Sequence, residues 1–310
     1  MQKPDKTLIV VVGPTAIGKT HLAIQLAQHF HTEIISADSR QFFKEMTIGT
    51  AKPSASELLA ATHHFINSQS IATEFSVGDF EKQVLQLLSE LYSKMDIAFM
   101  VGGSGLYVQA VCQGFDDIPK ADQGIREKWN KVYADKGIEE LKTQLKKIDP
   151  EYYYEVDLNN PQRLIRALEV YDTTGKPFSS YRIKKANPRP FNIVKIGLNI
   201  SRNELYRRIN HRVDMMMESG LLEEVKSLIP YKTLNALNTV GYSELFDYLE
   251  GKLTLEEAVE KIKQNTRRFA KRQLTWFKRQ DDIKWFEPEQ AEEVIKYLNQ
   301  QLLQCPGPSE

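Results

Sequence analysis

The feature that most constrains this chain is a short loop between an apolar segment and a helix. Residues 13–20 read GPTAIGKT and fit G-x-x-x-x-G-K-[ST], a pattern whose backbone N–H groups surround a di- or triphosphate. Residues 7–12 predict a buried strand before the loop, and apolar residues at helical spacing predict a helix after it. The helix N-terminus and Lys19 supply positive charge, and the Thr20 hydroxyl suits a magnesium ion. The predicted phosphate-binding residues are Gly13, Pro14, Thr15, Ala16, Ile17, Gly18, Lys19 and Thr20.

Three further apolar segments predict that this strand belongs to a parallel sheet. They cover residues 33–37, 97–101 and 191–198, and stretches with helical periodicity separate them. Strands that alternate with helices after a phosphate loop favour an α/β fold, here a P-loop doubly wound parallel sheet with its site at the carboxyl edge. Residues 119–181 are strongly charged and helical in pattern, and we expect them to form a helical insertion domain. Residues 1–118 and 182–310 would then form the core domain.

The composition is that of an ordinary soluble globular protein. The 310 residues are 41% hydrophobic and 26% charged, and no apolar run approaches the roughly 18 residues that span a bilayer. The two cysteines, Cys112 and Cys305, are too few for a disulfide framework, which suits a reducing compartment. No signal peptide is visible. We therefore expect a cytoplasmic protein that does not contact a membrane.

Polar residues follow the second and third predicted strands. Asp38 comes after the second, where its carboxylate could bind magnesium through water or accept a proton from a nucleophile. The ordinary alternative is a turn or helix cap. Ser104 lies in the glycine-rich run 102–105 after the third strand, where glycines let a ligand approach the backbone or simply form a tight turn. That strand ends in glycine rather than in an acidic residue, which argues against ATP hydrolysis.

Two arginines and two histidines are further candidates. Arg208 and Arg212 lie four residues apart on a helix that begins at a predicted capping box, residues 201–204. Either could neutralise a leaving pyrophosphate, although exposed arginines on a helix are common. His63 and His64 have no partner at metal-ligand spacing, so we interpret them as structural or as contacts at the edge of the sheet.

A strongly basic segment follows a second predicted capping box, residues 254–257. From residue 261 to residue 279 the chain has basic residues and no acidic ones, interleaved with aromatic residues. Cations at this density cover most of the circumference of a helix, which favours nucleic-acid binding; a helix paired with acidic neighbours is the alternative. The basic residues are Lys261, Lys263, Arg267, Arg268, Lys271, Arg272, Lys278 and Arg279.

Five motifs occur in the order found in a known family: GPTAIGKT, ADSRQ, GGSGLY, NPQRLIRALEV and AKRQLTWF. Together they resemble the tRNA dimethylallyltransferases, also called tRNA isopentenyltransferases, and they extend from Gly13 to Phe277. The resemblance implies transfer of a dimethylallyl group from dimethylallyl diphosphate to N6 of the adenine at tRNA position 37, next to the anticodon. It also implies that the prenyl diphosphate, rather than ATP, lies in the phosphate loop.

The resemblance assigns roles to individual residues. Asp38 would be the general base at N6, and Ser104 and Arg212 would stabilise the diphosphate. With Mg²⁺ as the expected cofactor, Thr20 and Asp38 are the candidate metal ligands. The insertion and the basic helix would bind the anticodon stem-loop of tRNA, and we expect a monomer. The predicted tRNA-binding residues are Asp38, Ser39, Arg40, Gln41, Gln162, Arg163, Leu164, Ile165, Arg166, Arg267, Arg268, Lys271 and Arg272.

The chain departs from the family pattern at a few positions. Ser104 stands where threonine is usual, and Arg40 and Phe42-Phe43 replace the more common Met and Val-Tyr. No zinc finger of the eukaryotic members is visible, so we expect a bacterial-type enzyme. The residues by themselves leave two alternatives: a P-loop nucleotide-dependent kinase, and an RNA-binding protein that uses the loop as a nucleotide switch. Asp38 and Ser104 at strand ends favour catalysis over a switch.

Overall fold

The chain divides into two compact units. The computed structural model describes residues 6–114, 116, 118, 119, 123–182 and 188–304, so Cys305 lies outside the described residues. The first unit combines Met1–Gln113 with Pro188–Glu310, and the second is Gly114–Asn187, compared with the insertion expected at residues 119–181. None of the described helices combines the length and the hydrophobicity that a bilayer-spanning segment requires.

Strands and helices alternate along the first unit, while the second contains helices only among its described residues. The strands are β1 Thr7–Val12, β2 Ile34–Ser36, β3 His63–His64, β4 Ile97–Gly102, β5 Asn192–Leu198 and β6 Ile283–Phe286. The helices are α1 Lys19–His29, α2 Ala55–Ala60, α3 Val77–Leu91, α4 Gly105–Gln113, α5 Gln123–Ile148, α6 Pro150–Glu155, α7 Pro161–Thr174, α8 Arg202–Glu218, α9 Leu221–Ser227, α10 Tyr242–Leu249, α11 Leu255–Phe277 and α12 Ala291–Gln304. Short 3₁₀ turns lie at Phe178–Tyr181, Ile229–Tyr231 and Asn235–Leu237.

The strands form one parallel sheet in the order β3-β2-β4-β1-β5-β6. Strand β1 is central: Val12 lies beside Gly102 of β4 and Gly197 of β5. The loops that leave β1, β2 and β4 therefore start at the same edge of the sheet. This register brings the phosphate loop, Asp38 and the glycine-rich turn together, as the sequence predicts.

Each face of the sheet is covered by helices, as a doubly wound fold requires. Side chains alternate along β1, so Ile9 and Val11 point to one face and Leu8, Val10 and Val12 to the other. The first face packs against residues of α1, α8 and α12, and the second against residues of α3, α4 and the end of α11. A third apolar cluster joins α8, α9, α10 and the start of α11. The predicted fold class is confirmed.

Two of the six strands are not evident from the sequence. The four predicted strands are present within a residue or two of the expected bounds, but β3 and β6 were missed. Strand β3 has only two residues and β6 has four, and both lie at the edges of the sheet. Edge strands as short as these carry too few residues for a buried pattern to be recognised.

The two predicted capping boxes differ in outcome. At the start of α11 the Thr254 hydroxyl accepts from the N–H of Glu257, whose carboxylate accepts from the N–H of Thr254. At the start of α8 only half of the box forms: Ser201 accepts from the N–H of Glu204 at 3.3 Å. The Glu204 carboxylate instead binds arginines one turn further along the helix.

The second unit has an apolar core of its own. Helix α5 is interrupted at Gly137, where φ is 75°. Its two parts pack with α6 and α7 around buried Trp129, Leu141 and Leu145. The buried carboxylate of Glu169 accepts from Nε of Arg126 at 2.7 Å, so the charge of Glu169 is compensated within this unit.

Candidate active site at the carboxyl edge of the sheet

A cleft of about 340 Å³ opens at the carboxyl edge of the sheet in the first unit. Its floor is the phosphate loop from Thr15 to Thr20, and one wall carries Asp38 after β2. Arg212 of α8 and Phe269 and Gln273 of α11 also line the cleft. The structure therefore brings two helices from the C-terminal part of the chain, α8 and α11, together with two loops from its N-terminal part.

The phosphate loop is held in an unusual backbone conformation. Gly18 has φ 100° and Ala16 has φ 63°, so a residue with a Cβ adopts the left-handed region between the two glycines of the motif. That conformation costs about 1–2 kcal/mol for an L-residue. Gly13 begins the loop, where a Cβ would lie only 2.9 Å from the carbonyl oxygen of Leu198. The loop thus depends on its surroundings to keep this shape.

Lys19 points back at its own loop. Its Nζ donates to the Pro14 carbonyl at 2.7 Å. Burial lowers the pKa of Lys19 to about 7, Asp38 nearby opposes this shift, and the charge of Arg212 adds to it. A polyanion in the cleft would favour the protonated form of Lys19.

Asp38 and Ser104 are linked through one loop. Oδ1 of Asp38 accepts from the backbone N–H of Arg40 at 2.9 Å, which fixes the orientation of the carboxylate. The Ser104 hydroxyl oxygen accepts from the backbone N–H of Ser39 at 3.0 Å. The hydroxyl hydrogen of Ser104 stays available for donation, so the same side chain can hold the Asp38 loop and donate to an anion.

The glycines around Ser104 make room for protein rather than for a ligand. A Cβ on Gly102 would lie 2.2 Å from the Ala37 carbonyl oxygen, and a Cβ on Gly103 would lie 2.2 Å from Nε2 of Gln273. A Cβ on Gly105 would lie 2.3 Å from the Trp276 ring. The expectation that these glycines admit a ligand is therefore replaced by a packing reason: helix α11 lies directly on the turn.

The two candidate arginines of α8 have different surroundings. Arg212 lines the cleft and is half-buried; burial lowers its pKa, and Glu57 and Asp38 oppose that shift. Arg208 pairs with Glu204 at 2.9 Å and with Glu289 at 2.8 Å. Of the two, only Arg212 is among the residues that line the cleft, and its role towards a diphosphate stays a prediction.

Gln41, a predicted tRNA-binding residue, has its side chain engaged in the loop that borders the cleft. Its amide donates to the carbonyls of Thr50 and Ala51 at 3.2 and 3.1 Å and accepts from Ser36 at 3.1 Å. The Arg40 guanidinium is half-buried beside Tyr107 and Asp38, and burial lowers its pKa. Both residues border the site, and a direct RNA contact of either stays a prediction.

The same loop is fastened by a carboxylate that the sequence did not single out. Glu224 of α9 accepts from the backbone N–H groups of Thr47, Ile48 and Gly49 at 3.0, 2.8 and 3.0 Å. It also accepts from the Tyr242 hydroxyl at 2.6 Å. Four donors on one carboxylate hold the wall of the cleft in place.

The two adjacent histidines are divided between the edge of the sheet and the cleft. His64 contacts Glu33, in agreement with an edge contact. His63 lines the cleft, its Nδ1 lies 2.8 Å from the Ala61 carbonyl oxygen, and burial lowers its pKa. His63 thus lies in the edge strand β3, in agreement with the prediction, and its side chain also forms part of the cleft lining.

The basic helix α11 presents only part of its charge to solvent. Arg268, Lys271 and Arg272 are exposed. Arg267 is half-buried: it donates to Oδ1 of Asn210 at 2.6 Å and lies over the Tyr206 ring. Arg267 thus joins α11 to α8, and we expect this engagement to compete with the tRNA contact predicted for it, which stays a prediction.

The predicted RNA-binding segment of the second unit is also divided by burial. Gln162 and Arg163 are exposed at the start of α7. Leu164 and Ile165 are fully buried in the apolar core of this unit, so their side chains cannot reach RNA, and that prediction is corrected. Arg166 is half-buried and donates to the Pro119 carbonyl at 2.9 Å.

Comparison with known proteins gives the family of this chain. A family model described as IPP transferase matches residues 41–280. The chain is 55% identical over 296 residues to the tRNA dimethylallyltransferase of Christiangramia forsetii, a match that covers 95% of this chain and 98% of that protein. It is 53% identical to the corresponding protein of Flavobacterium johnsoniae, with 96% and 98% covered. This chain belongs to the tRNA dimethylallyltransferase family.

Solved structures of the tRNA dimethylallyltransferase family have the same fold. The tRNA isopentenylpyrophosphate transferase of Bacillus halodurans superimposes with a TM-score of 0.72 at 38% identity, covering 96% of this chain and 97% of that one. A eukaryotic dimethylallyltransferase acting on tRNA superimposes with a TM-score of 0.79 at 27% identity, covering 98% and 81%. The predicted family, fold class and enzyme class are confirmed. The comparisons favour prenyl transfer over the kinase and the nucleotide switch.

Proposed function

We propose that this chain transfers a dimethylallyl group from dimethylallyl diphosphate to N6 of the adenine at position 37 of tRNA, giving N6-dimethylallyladenosine. The observation that carries the proposal is a single cleft in which the phosphate loop, Asp38 and Arg212 meet. Membership in the tRNA dimethylallyltransferase family supports the same reaction. The phosphate loop would bind the diphosphate of the prenyl donor.

Asp38 is the proposed general base. The amino group of adenine is a weak nucleophile because its lone pair is delocalised into the ring, so removal of its proton as the bond forms assists attack. N6 attacks C1 of the dimethylallyl group, the C1–O bond breaks, and the electron pair leaves with pyrophosphate. The Asp38 carboxylate accepts the N6 proton. The N–H of Arg40 at 2.9 Å from Oδ1 holds that carboxylate for this task.

Lys19, Arg212 and Ser104 are the proposed stabilisers of the leaving pyrophosphate. Lys19 and Arg212 are close enough in the cleft for their charges to interact, so a diphosphate between them relieves their repulsion. An allylic carbon tolerates positive charge, and stabilising the departing oxygen therefore lowers the barrier directly. The Ser104 hydroxyl would donate to the diphosphate while its oxygen keeps the bond from Ser39.

Mg²⁺ is the proposed cofactor, and the cleft fits it. Magnesium is usually held by one or two carboxylates together with substrate phosphates and waters, rather than by a full protein cage. The described residues contain no cluster of three or more His, Cys, Asp or Glu side chains suited to a metal, but Thr20 and Asp38 both line the cleft. Thr20 would contact the ion directly and Asp38 through water. The bound ion would neutralise part of the diphosphate charge.

The proposed macromolecular substrate is the anticodon stem-loop of tRNA. The exposed cations of α11 would bind its phosphates, and the target adenine must leave the base stack to reach Asp38. Gln162 and Arg163 of the second unit would add further RNA contacts. We also propose that the enzyme works as a monomer in the cytoplasm.

The experiment that tests this function is transfer of label from radiolabelled dimethylallyl diphosphate to unmodified tRNA, with magnesium and purified protein. Label on the adenine next to the anticodon supports the proposal. A parallel reaction with labelled ATP tests the kinase alternative, because phosphate transfer without prenyl transfer would replace the proposed activity. The Asp38→Asn variant serves as the matched control, because it keeps the size of the side chain and removes the base.

A further inference from the structure

Gln273 connects the phosphate loop to the basic helix through its side-chain amide. The residue lies on α11 and is only 7% exposed. Its Oε1 accepts from the backbone N–H of Thr15 at 2.8 Å, and its Nε2 donates to the Gly103 carbonyl at 3.0 Å. Both hydrogen-bonding halves of this buried amide are therefore used, and both partners belong to the backbone of the catalytic cleft.

The bond to Thr15 orients the peptide group between Pro14 and Thr15. The carbonyl of that group accepts from Nζ of Lys19, and its N–H donates to Gln273. A diphosphate that attracts Lys19 would weaken the first bond, which leaves Gln273 as the restraint on this peptide group. The next residue, Ala16, has φ 63°, so the peptide group lies beside the strained point of the loop.

The Thr15 N–H is consequently occupied by a protein acceptor, although Thr15 itself lines the cleft. The sequence predicts that the backbone N–H groups of the loop surround the diphosphate, but this donor is already bound to Gln273. A diphosphate would have to use the remaining donors of the loop. Gln273 thus decides which part of the loop is presented to the ligand.

The bond to Gly103 acts on the other side of the cleft. A Cβ on Gly103 would lie only 2.2 Å from Nε2 of Gln273, so any side chain at this position would displace the amide. The next residue, Ser104, accepts from the N–H of Ser39 at 3.0 Å, beside Asp38. Gln273 therefore binds the residue that directly precedes Ser104, and Ser104 holds the Asp38 loop.

We propose that Gln273 is a positioning residue, which holds the Pro14–Thr15 peptide and the Gly103–Ser104 turn in the arrangement that diphosphate binding and catalysis require. Because Gln273 belongs to the basic helix α11, the geometry of the diphosphate site depends on where that helix is packed. The inference rests on the proposed function, since it deepens the account of the same cleft.

The test compares Gln273→Met with Gln280→Met. Methionine keeps the length of the side chain and removes both hydrogen bonds of Gln273. Gln280 is a suitable control because it is half-buried and accepts from Lys195 at 3.1 Å, and it is not among the residues that line the cleft. Binding of inorganic pyrophosphate is measured by calorimetry, and kcat and KM are measured for the prenyl diphosphate and for tRNA.

We expect Gln273→Met to weaken pyrophosphate binding and to raise KM for the prenyl diphosphate by roughly ten- to a hundredfold, since the Thr15 N–H and the Gly103 carbonyl both lose their partner. We expect Gln280→Met to leave both values within about twofold of wild type while it lowers the melting temperature, as loss of one internal hydrogen bond does. Equal pyrophosphate affinities for wild type and Gln273→Met would overturn the proposal, because a purely structural role changes stability and not affinity.

Gln273→Glu supplies a second, pH-dependent readout. A protonated carboxyl group can accept from Thr15 and donate to Gly103, as the amide of Gln273 does. The ionised form has no proton and cannot donate to Gly103. Burial raises the pKa of such a carboxyl group, so the ratio of its pyrophosphate affinity to that of wild type should rise as the pH falls from 8 to 6. Taking the ratio removes the pH dependence of Lys19 and of the ligand, which both proteins share.

A ratio for Gln273→Glu that does not change with pH would contradict the positioning role, even if Gln273→Met failed to fold. Failure of the proposed function is distinguishable from this outcome. In that case wild-type protein would bind pyrophosphate and still transfer no label to tRNA, while the comparison of pyrophosphate affinities would stand.

Discussion

The salt dependence of tRNA binding should be set by the exposed cations of α11. The perturbation is replacement of Arg268, Lys271 and Arg272 by glutamine. All three are exposed on one helix, and the Arg272 guanidinium lies 5.7 Å from the centroid of the Phe269 ring. In the described part of the chain none of the three forms an ion pair, and Arg268 donates only to the neutral side chain of Asn265, at 3.3 Å.

The magnitude follows from counterion release. Each phosphate contact contributes about 0.7 to 0.9 to the slope of log K against log salt concentration, so three contacts contribute about 2 to 2.7. Between 50 and 200 mM salt, the affinity lost by wild type should therefore exceed the affinity lost by the triple variant by roughly 20- to 40-fold. Binding of unmodified tRNA, measured by fluorescence anisotropy at several KCl concentrations, gives both slopes.

Arg267→Gln is the matched control on the same helix. Because Arg267 already bonds to Asn210 and lies over Tyr206, we expect an unchanged slope and a loss of about 1–2 kcal/mol in the free energy of unfolding. A triple variant with the wild-type slope would refute the assignment of the exposed cations to RNA. If Arg267→Gln instead reduced the slope by about one unit, Arg267 would contact a phosphate in the same way as the exposed cations of α11.

Further predictions concern the cleft and its wall. Asp38→Asn should lower kcat by at least about a hundredfold and leave the tRNA Kd within about twofold; near-normal kcat would remove Asp38 from the role of base. Ser104→Thr should retain activity, whereas Ser104→Ala should lose about tenfold in kcat/KM, since only the hydroxyl can accept from Ser39. Glu224→Ala should cost about 2–4 kcal/mol in urea unfolding, because four donors lose one acceptor; a cost below about 1 kcal/mol would contradict this. The pKa of Lys52 is lowered to about 8, mainly by burial and against the opposing charges of Glu224 and Glu45. The unfolded state therefore binds more protons between pH 8 and 10.5, and the stability of wild type relative to Lys52→Met should rise with pH in that window, by less than about 1.4 kcal/mol per pH unit; a constant or falling difference would contradict the shift.

Local sequence patterns determined the central part of the fold. The phosphate loop, the strand before it and the helix after it are specified by neighbouring residues, since strand and helix periodicities and loop glycines act over a few positions. Parallel strands that leave loops at one edge then placed Asp38 beside that loop. For the same reason the sequence identified Lys19, Thr20 and Asp38 as candidate site residues without any knowledge of distant contacts.

Tertiary structure alone decided which side chains are available at the site. Leu164 and Ile165 lie in a motif that resembles an RNA-binding segment, but their burial depends on the packing of α5 and α7. Arg267 and Arg268 are adjacent in the sequence, yet only Arg267 meets a partner on α8. No local pattern distinguishes such neighbours, because the contact that differs comes from another part of the chain.

Gln273 shows most clearly the difference between what the sequence predicts and what tertiary contacts decide. Its motif is visible in the sequence, but its partner Thr15 is 258 residues away. The glycines at 103 and 105 likewise indicate a tight turn, while the reason for them is contact with Gln273 and Trp276 of α11. The sequence by itself determined the phosphate loop, the central strands and the chemical groups of the cleft, since these depend on near neighbours. Only the folded chain decided the positions of those groups, because a buried hydrogen bond needs two partners that folding alone brings together.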